Sequence, residues 1–215
     1  MDFIVFIVFQ FIVFIFSVMV HEISHGVVAE KLGDPTARMA GRLTFNPISH
    51  IDPFGSIILP VMLAITGLPV VGWAKPVPYN PRNLRDPIGG GAKIAAAGPA
   101  SNFAVALVIG LLLRFMLTTG VGLVGMLPLF LGLIVLINVV LGVFNLLPIP
   151  PFDGSKVLYA FLPPTQQSYE IVRFLEQYGI YIILALFFLG FPFVGPATGF
   201  IFRAIVGVST GTFGF

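Results

Sequence analysis

The sequence predicts an all-α polytopic membrane protein with about four to five transmembrane helices, a re-entrant segment and a short β-hairpin or edge strand. Three observations predict it. Of the 215 residues, 57% are hydrophobic and only 9% are charged. The mean hydropathy is +1.03. Apolar runs long enough to cross a bilayer alternate with short stretches rich in Pro, Gly and basic residues. A soluble domain carries about 25% charged residues. A chain this poor in charge cannot cover a water-facing surface, so lipid covers most of it. The length suits one membrane-embedded domain, residues 1–215, with no room for a second soluble one.

The net charge of +2 does not point to nucleic acid, because the basic residues flank apolar runs and so read as membrane topology. Cysteine is absent, so any transition metal must be held by His, Asp or Glu.

The first helix covers residues 3–31. It is apolar from Phe3 to Val20, has a polar last turn, and is stopped by Gly33, Asp34 and Pro35. Only Asp2 precedes it as a charge, where a signal peptide carries a basic start, so it reads as a retained transmembrane helix. Residues 36–54 are more polar, and Arg38 to Phe45 reads as extended. The run 55–72 is apolar but interrupted by Pro60, Gly67 and Pro69. Val70 to Tyr79 alternates and contains prolines, which fits an edge strand.

The second long helix runs from about Ala92 to Leu117. Ala92, Ala96, Ala100 and Ala104 recur every four residues, a spacing that lets helices approach closely in lipid, within one chain or between chains. After an uncharged link at 118–125, a third long helix covers about Leu127 to Leu147. A loop with a short helix fills 148–165, a fourth long helix covers Ser168 to Leu189, and an apolar stretch at 197–208 lies partly at the interface.

The chemistry concentrates in His21-Glu22-Ile23-Ser24-His25, an H-E-x-x-H on the first helix. The i,i+4 spacing puts both imidazoles on one face, one turn apart, where they can share one Zn²⁺. Glu22 lies beside them and can take a proton from a water whose pKa the zinc lowers, so that the water attacks a carbonyl. Two histidines leave a catalytic site short of a third protein ligand. The candidates are Asp52, His50, Asp153, Glu30 and Glu170. Asp153 stands out because it follows the proline-broken end of an apolar helix, and broken backbone at membrane depth is tolerated only where it lines a cavity or is buried in protein.

These segments resemble the site-2 protease family of intramembrane zinc metalloproteases, in particular its short single-domain members without PDZ or CBS domains. His21 to His25 is similar to the family's zinc-binding helix. Asn145 through Asp153-Gly154 is similar to its N-x-x-P and D-G element. Ala97-Gly98-Pro99 with Asn102 resembles the small-residue helix between them. Asn46-Pro47, His50 to Pro53 and Gly72 to Pro78 add support. The resemblance implies His21, His25 and Asp153 as ligands of one Zn²⁺ per chain and Glu22 as general base. It implies that Asn145 binds substrate or steadies the tetrahedral intermediate. The implied activity is hydrolysis of peptide bonds in or near transmembrane segments of membrane proteins, with membrane lipids as the other partner.

Geometry then constrains the topology. If Asp153 meets the same metal as His21, the first and third long helices run in the same direction and the second runs opposite. Segment 33–92 then starts and finishes on one side, so 55–72 dips into the membrane and returns as the strand Val70 to Tyr79. Gly72, Lys75 and Val77 on that strand are the expected contacts for an unwound substrate, captured by β-addition. Lys31, Arg38 and Arg42, with Lys75, Arg82, Arg85 and Lys93, place this side in the cytoplasm of a multi-pass cell-membrane protein and the active site towards the cytoplasmic leaflet. His50 and Asp52 read as a pair behind the ligands, a gate, or a turn before Pro53, the turn being the simplest. Other functions are weaker fits. A zinc transporter would show repeated halves. A proteolytically silent scaffold would have lost Glu22 or a ligand. A prenyl-protein-type protease would want a glutamate ligand, and Glu170 and Glu176 have no second motif around them.

Overall fold

The computed structural model describes residues 3–58, 61–62, 65 and 75–215. Among them the regular structure is helical. α1 is Phe3–Lys31, α2 Thr36–Met39, α3 Pro87–Thr119, α4 Leu127–Asn145, α5 Asp153–Phe161, α6 Gln166–Phe188 and α7 Val194–Val206. Four of these, α1, α3, α4 and α6, are long and apolar enough to cross a membrane, and the protein is a multi-pass membrane protein.

Local chemistry sets the helix ends. Asp86 caps α3, its side chain accepting from the Gly89 amide, and Pro87 occupies the first turn, where no N–H is needed. That capping moves the start of α3 ahead of the expected Ala92. At the other end Gly120 takes φ of 73°, a left-handed conformation that ends the helix on the Met116 carbonyl.

Contacts along the three long helices fix their directions. From α1 to α3, His21 meets Asn102 and His25 meets Ile94, so one index rises while the other falls: the pair is antiparallel. From α1 to α4, Phe9 stacks on Phe130 and Ser17 meets Asn138, so both indices rise together: the pair is parallel. This is the topology that a shared site for His21 and Asp153 requires.

A core of Ala106, Leu113, Met116, Leu131, Val135, Val139, Phe202 and Val206 joins α3, α4 and α7. The buried face of α3 is Gly91, Ala95, Gly98, Asn102, Ala106, Gly110 and Leu113. The alanine series expected to make the contact is therefore offset from it, and Ala100 and Ala104 are exposed. Within the chain, glycine, asparagine and a different pair of alanines, Ala95 and Ala106, mark the contact stripe. The stretch 197–208 falls largely in α7, which packs into the core through Phe202 and Val206, both essentially buried. The apolar residues of α1 that remain exposed, Ile4, Phe11 and Phe16 among them, form a lipid-facing surface.

Three expectations concern the long connection from α1 to α3. Arg38 to Phe45 is not extended; it begins with α2 and continues as turns. Lys75 to Asn80 forms no strand. Pro76 and Pro78 cannot donate to a ladder, and the intervening amides bond elsewhere: Lys75 N–H to the His50 carbonyl and Val77 N–H to Glu22. Residues 70–74 of that expected strand, Gly72 included, lie outside the described residues. So does most of the expected re-entrant dip at 55–72, whose described beginning belongs to a π-helical turn, Pro53–Ile58.

What ties this connection down is Asp34, fully buried just past α1. It accepts from the Asn80 amide at 2.6 Å, from the Asn83 side chain at 2.7 Å, and from Thr36. Burial by itself raises the Asp34 pKa, but the hydrogen bonds from Thr36, Asn83 and Asn80 outweigh it and hold the carboxyl below its ordinary range. The Asp34 contribution is therefore complete above the unfolded value near about 3.9 and is lost as pH falls through the lower folded value. Asp34→Ala should destabilise the protein by about 2 kcal/mol at neutral pH. Fluorescence-monitored melting in detergent should show that gap narrowing as the pH drops below about 4; matching melts at neutral pH would exclude the hub.

Candidate metal centre

α1 carries His21 and His25 one turn apart, with ring centroids 4.6 Å from each other and planes nearly perpendicular, at 87°. Each ring is held by its Nδ1. His21 Nδ1 lies 2.6 Å from Asn102 Oδ1, and His25 Nδ1 lies 2.6 Å from the Ile94 carbonyl oxygen. Both partners are acceptors, so both Nδ1 atoms carry the proton and both Nε2 atoms present lone pairs.

Those two Nε2 atoms point at one atom. His21 Nε2 and His25 Nε2 each lie 3.1 Å from Asp153 Oδ2. Two lone pairs and a carboxylate oxygen facing one another at this distance form a ready set of metal ligands. The donor set is the nitrogen and oxygen set that zinc takes. Ligand atoms on a tetrahedral zinc, with bonds near 2.0–2.1 Å, are separated by about 3.3 Å, so the spacing fits a metal among the three.

Asp153 reaches this point because the chain turns sharply after α4, through Leu146 to Phe152, and starts α5 at Asp153 itself. The following residue must be small. A Cβ on Gly154 would lie 2.2 Å from the Leu146 carbonyl oxygen and 2.5 Å from that of Leu147. Gly98 plays the same part opposite the histidines. A Cβ there would lie 2.5 Å from atoms of both imidazole rings.

Glu22, between the histidines in sequence, has a carboxylate oxygen 2.8 Å from the Val77 amide. Ligand atoms of His21, Glu22 and His25 lie within 4.8 Å of one another. A cavity of about 180 Å³ opens onto His21, Glu22, His25 and Asp153, with Asn145 and Lys156 on its wall. The Asn145 Nδ2 donates one hydrogen to the Leu141 carbonyl at 3.0 Å, which leaves the other for the cavity.

The other ligand candidates are engaged elsewhere. Glu30 pairs with Arg38, and Glu170 accepts from Gln166. His50 is buried with Nε2 on the Thr44 carbonyl, and Asp52 accepts from the Gly55 amide, so both serve the turn the sequence suggested. Of the expected substrate contacts, Val77 lines the cavity, whereas Lys75 has its N–H on His50 and its carbonyl on Arg42. Sequence reasoning missed the Ile94 carbonyl and Lys156, and it named Asn102 only as part of the small-residue helix, with no role at the site. Asn102 did leave a signal, an amide in the middle of an otherwise apolar helix.

The sequence model described as Peptidase family M50 matches residues 122–190, which include Asn145 and Asp153. Over 180 residues the chain is 38% identical to "Putative zinc metalloprotease YwhC" of Bacillus subtilis (strain 168), covering 82% of this chain and 78% of that protein. It is 30% identical over 179 residues to "Putative zinc metalloprotease Rip2" of Mycolicibacterium smegmatis, covering 79% of this chain and 62% of that protein. The protein of the same name from Mycobacterium tuberculosis (strain ATCC 25618 / H37Rv) is 29% identical over 181 residues, covering 80% of this chain and 63% of its own length. No solved structure matches.

Gly98→Ala should displace both imidazoles and weaken zinc binding by at least about tenfold, measured by chelator competition on the purified protein. Wild-type affinity in that variant would mean that the histidines do not need the space Gly98 leaves.

Proposed function

The chain belongs to peptidase family M50, zinc metallopeptidases of the site-2 protease type, and from that premise we propose that it is an intramembrane endopeptidase. It cuts peptide bonds in or near transmembrane segments of membrane proteins and uses one zinc ion per chain. The observation that carries this reading is the convergence of His21 Nε2, His25 Nε2 and Asp153 Oδ2, with Glu22 beside them.

His21, His25 and Asp153 would hold the ion. Zinc in that position supplies a Lewis acid that polarises the scissile carbonyl and brings the pKa of water close to 7. Glu22 takes a proton from the attacking water and returns it to the leaving nitrogen. Asn145 faces the cavity with a free amide hydrogen and donates to the oxygen on which negative charge develops. Lys75 and Val77, with Gly72 before them, guide the unwound substrate past the ion. Because the Val77 amide now donates to Glu22, substrate must take its place as the carboxylate turns to its catalytic partner.

Depth supports action within the membrane. His21 lies about 27 Å along α1 from Phe3, at about 1.5 Å per residue, against a hydrocarbon core of about 30 Å. The site is therefore close to one membrane face. Lys31, Arg42, Lys75, Arg85 and Lys93 gather at that end of α1 and α3, and the positive-inside rule supports reading it as the cytoplasmic leaflet of the cell membrane.

Glu22→Gln should keep zinc at wild-type stoichiometry and cut turnover of a membrane-peptide library by about 10²–10⁴-fold. Equal cleavage by variant and wild type would sink the protease reading. Asn145→Ala should lower kcat by about 10²-fold at unchanged zinc content; a change confined to KM would make Asn145 a binding residue only.

A further inference from the structure

Behind His21 lies a chain of buried polar groups that the proposed reaction does not use. It crosses three helices: Ser17 on α1, Asn102 on α3 and Asn138 on α4. Asn102 and Asn138 are completely buried and Ser17 nearly so. The Asn102 Nδ2 donates to Asn138 Oδ1 at 3.0 Å and to the Ser17 carbonyl at 3.3 Å. The Asn138 Nδ2 donates to Ser17 Oγ and to the Ile134 carbonyl, both at 2.9 Å. Every amide hydrogen of the two asparagines is used.

This chain has a direction. The Ile134 carbonyl, one turn back on the same helix, can only accept, so it fixes which end of the Asn138 amide is the donor. The Asn138 oxygen must then face Asn102 and demands a donor from it. Asn102 therefore turns its NH₂ towards Asn138 and Ser17 and its oxygen towards His21. Reversing Asn102 would set its oxygen against two acceptors, and would set its NH₂ against His21 Nδ1. His21 would then have to move its proton to Nε2, the nitrogen that faces Asp153, where a protonated nitrogen cannot bind a metal. Without Asn138, only the longer contact to the Ser17 carbonyl opposes that reversal.

We infer that Asn138 is a positioning residue: acting through Asn102, it keeps the His21 proton on Nδ1 and so holds Nε2 open for the metal. The inference rests on the reading of His21 as a ligand. An amide triad that merely glues helices together in lipid is the competing account, and it makes no demand on the His21 tautomer.

The test uses the full chain in detergent, free of metal and labelled with ¹⁵N-histidine, as wild type and as Asn138→Leu, Asn138→Ala and Asn138→Asp. A protonated aspartate has the shape of asparagine and keeps the acceptor facing Asn102. Long-range ¹H–¹⁵N spectra report which imidazole nitrogen bears the proton, with the His21 signals identified by comparison with His25→Gln and His50→Gln. Zinc affinity comes from competition with a chelating dye. Wild type and Asn138→Asp should show the Nδ1–H form of His21. The Leu and Ala variants should show a growing Nε2–H population and a zinc Kd raised about 10–100-fold. An unchanged tautomer and affinity in the Leu and Ala variants would overturn the inference. So would loss of monodisperse protein in both of them beside an intact Asp variant, because that assigns Asn138 to folding alone. Absence of zinc binding by the wild type would instead remove the ligand reading, and the metal-free spectra would still decide the tautomer.

Discussion

Three acceptors that would repel one another are brought to 3.1 Å: two imidazole Nε2 atoms and one carboxylate oxygen. A metal ion among them would reconcile them, and much of the rest of the fold can be read as the cost of bringing them together. α1 and α4 must run parallel so that His21 and Asp153 end at one depth. α3 must run against both to supply Asn102 and Ile94. The backbone must come close enough at Gly98 and Gly154 that no side chain fits in either place. None of these arrangements is favoured by burial of apolar surface, because lipid is as apolar as the interior it would replace.

The same absence of a hydrophobic drive explains where the polar residues are. A hydrogen-bonding group left without a partner in hydrocarbon costs several kcal/mol, and the polar groups around the two histidines are matched. His21 is matched to Asn102, Asn102 to Asn138, and His25 to a backbone carbonyl on α3. That carbonyl belongs to Ile94, within four residues of Gly98. The helix thus offers its hydrogen-bonding edge and its bare backbone to the two histidines over barely more than one turn.

Much of this was legible in the sequence, and the reasons are physical. Long apolar runs have one solution in lipid, so the four long helices could be placed closely. The H-E-x-x-H spacing carries its own geometry, and an acid after a proline break must face protein, which located Asp153. The failures share a cause too. Lys75 to Tyr79, the described part of the expected strand, is kept from pairing by its own prolines and by the hydrogen bond from the Val77 amide to Glu22, a partner distant in sequence. The alanine series on α3 has the right period for a contact stripe and the wrong phase, because Gly98 and Asn102 decide the phase through residues on α1. Pattern gives the period of an element, and partners distant in sequence give its rotation.

Rotation matters because a metal site tolerates little error. Ligand distances must hold within about 0.2 Å, whereas a slip of one residue moves a helix by about 1.5 Å and turns it by about 100°. Smooth apolar faces of α1 and α3 would permit such slips at small cost. Two polar devices prevent them. Asp34, just beyond α1, binds Asn80 and Asn83, just before α3, and so indexes the two helices at their common end. Deeper in, Asn102 binds His21 on one side and the Ser17 carbonyl on the other, and these are one turn apart on α1. A slip of α1 against α3 would break both at once and bury their groups unmatched. The apolar surface keeps the helices in the membrane, but these few polar contacts choose the register, and the register is what brings His21, His25 and Asp153 together.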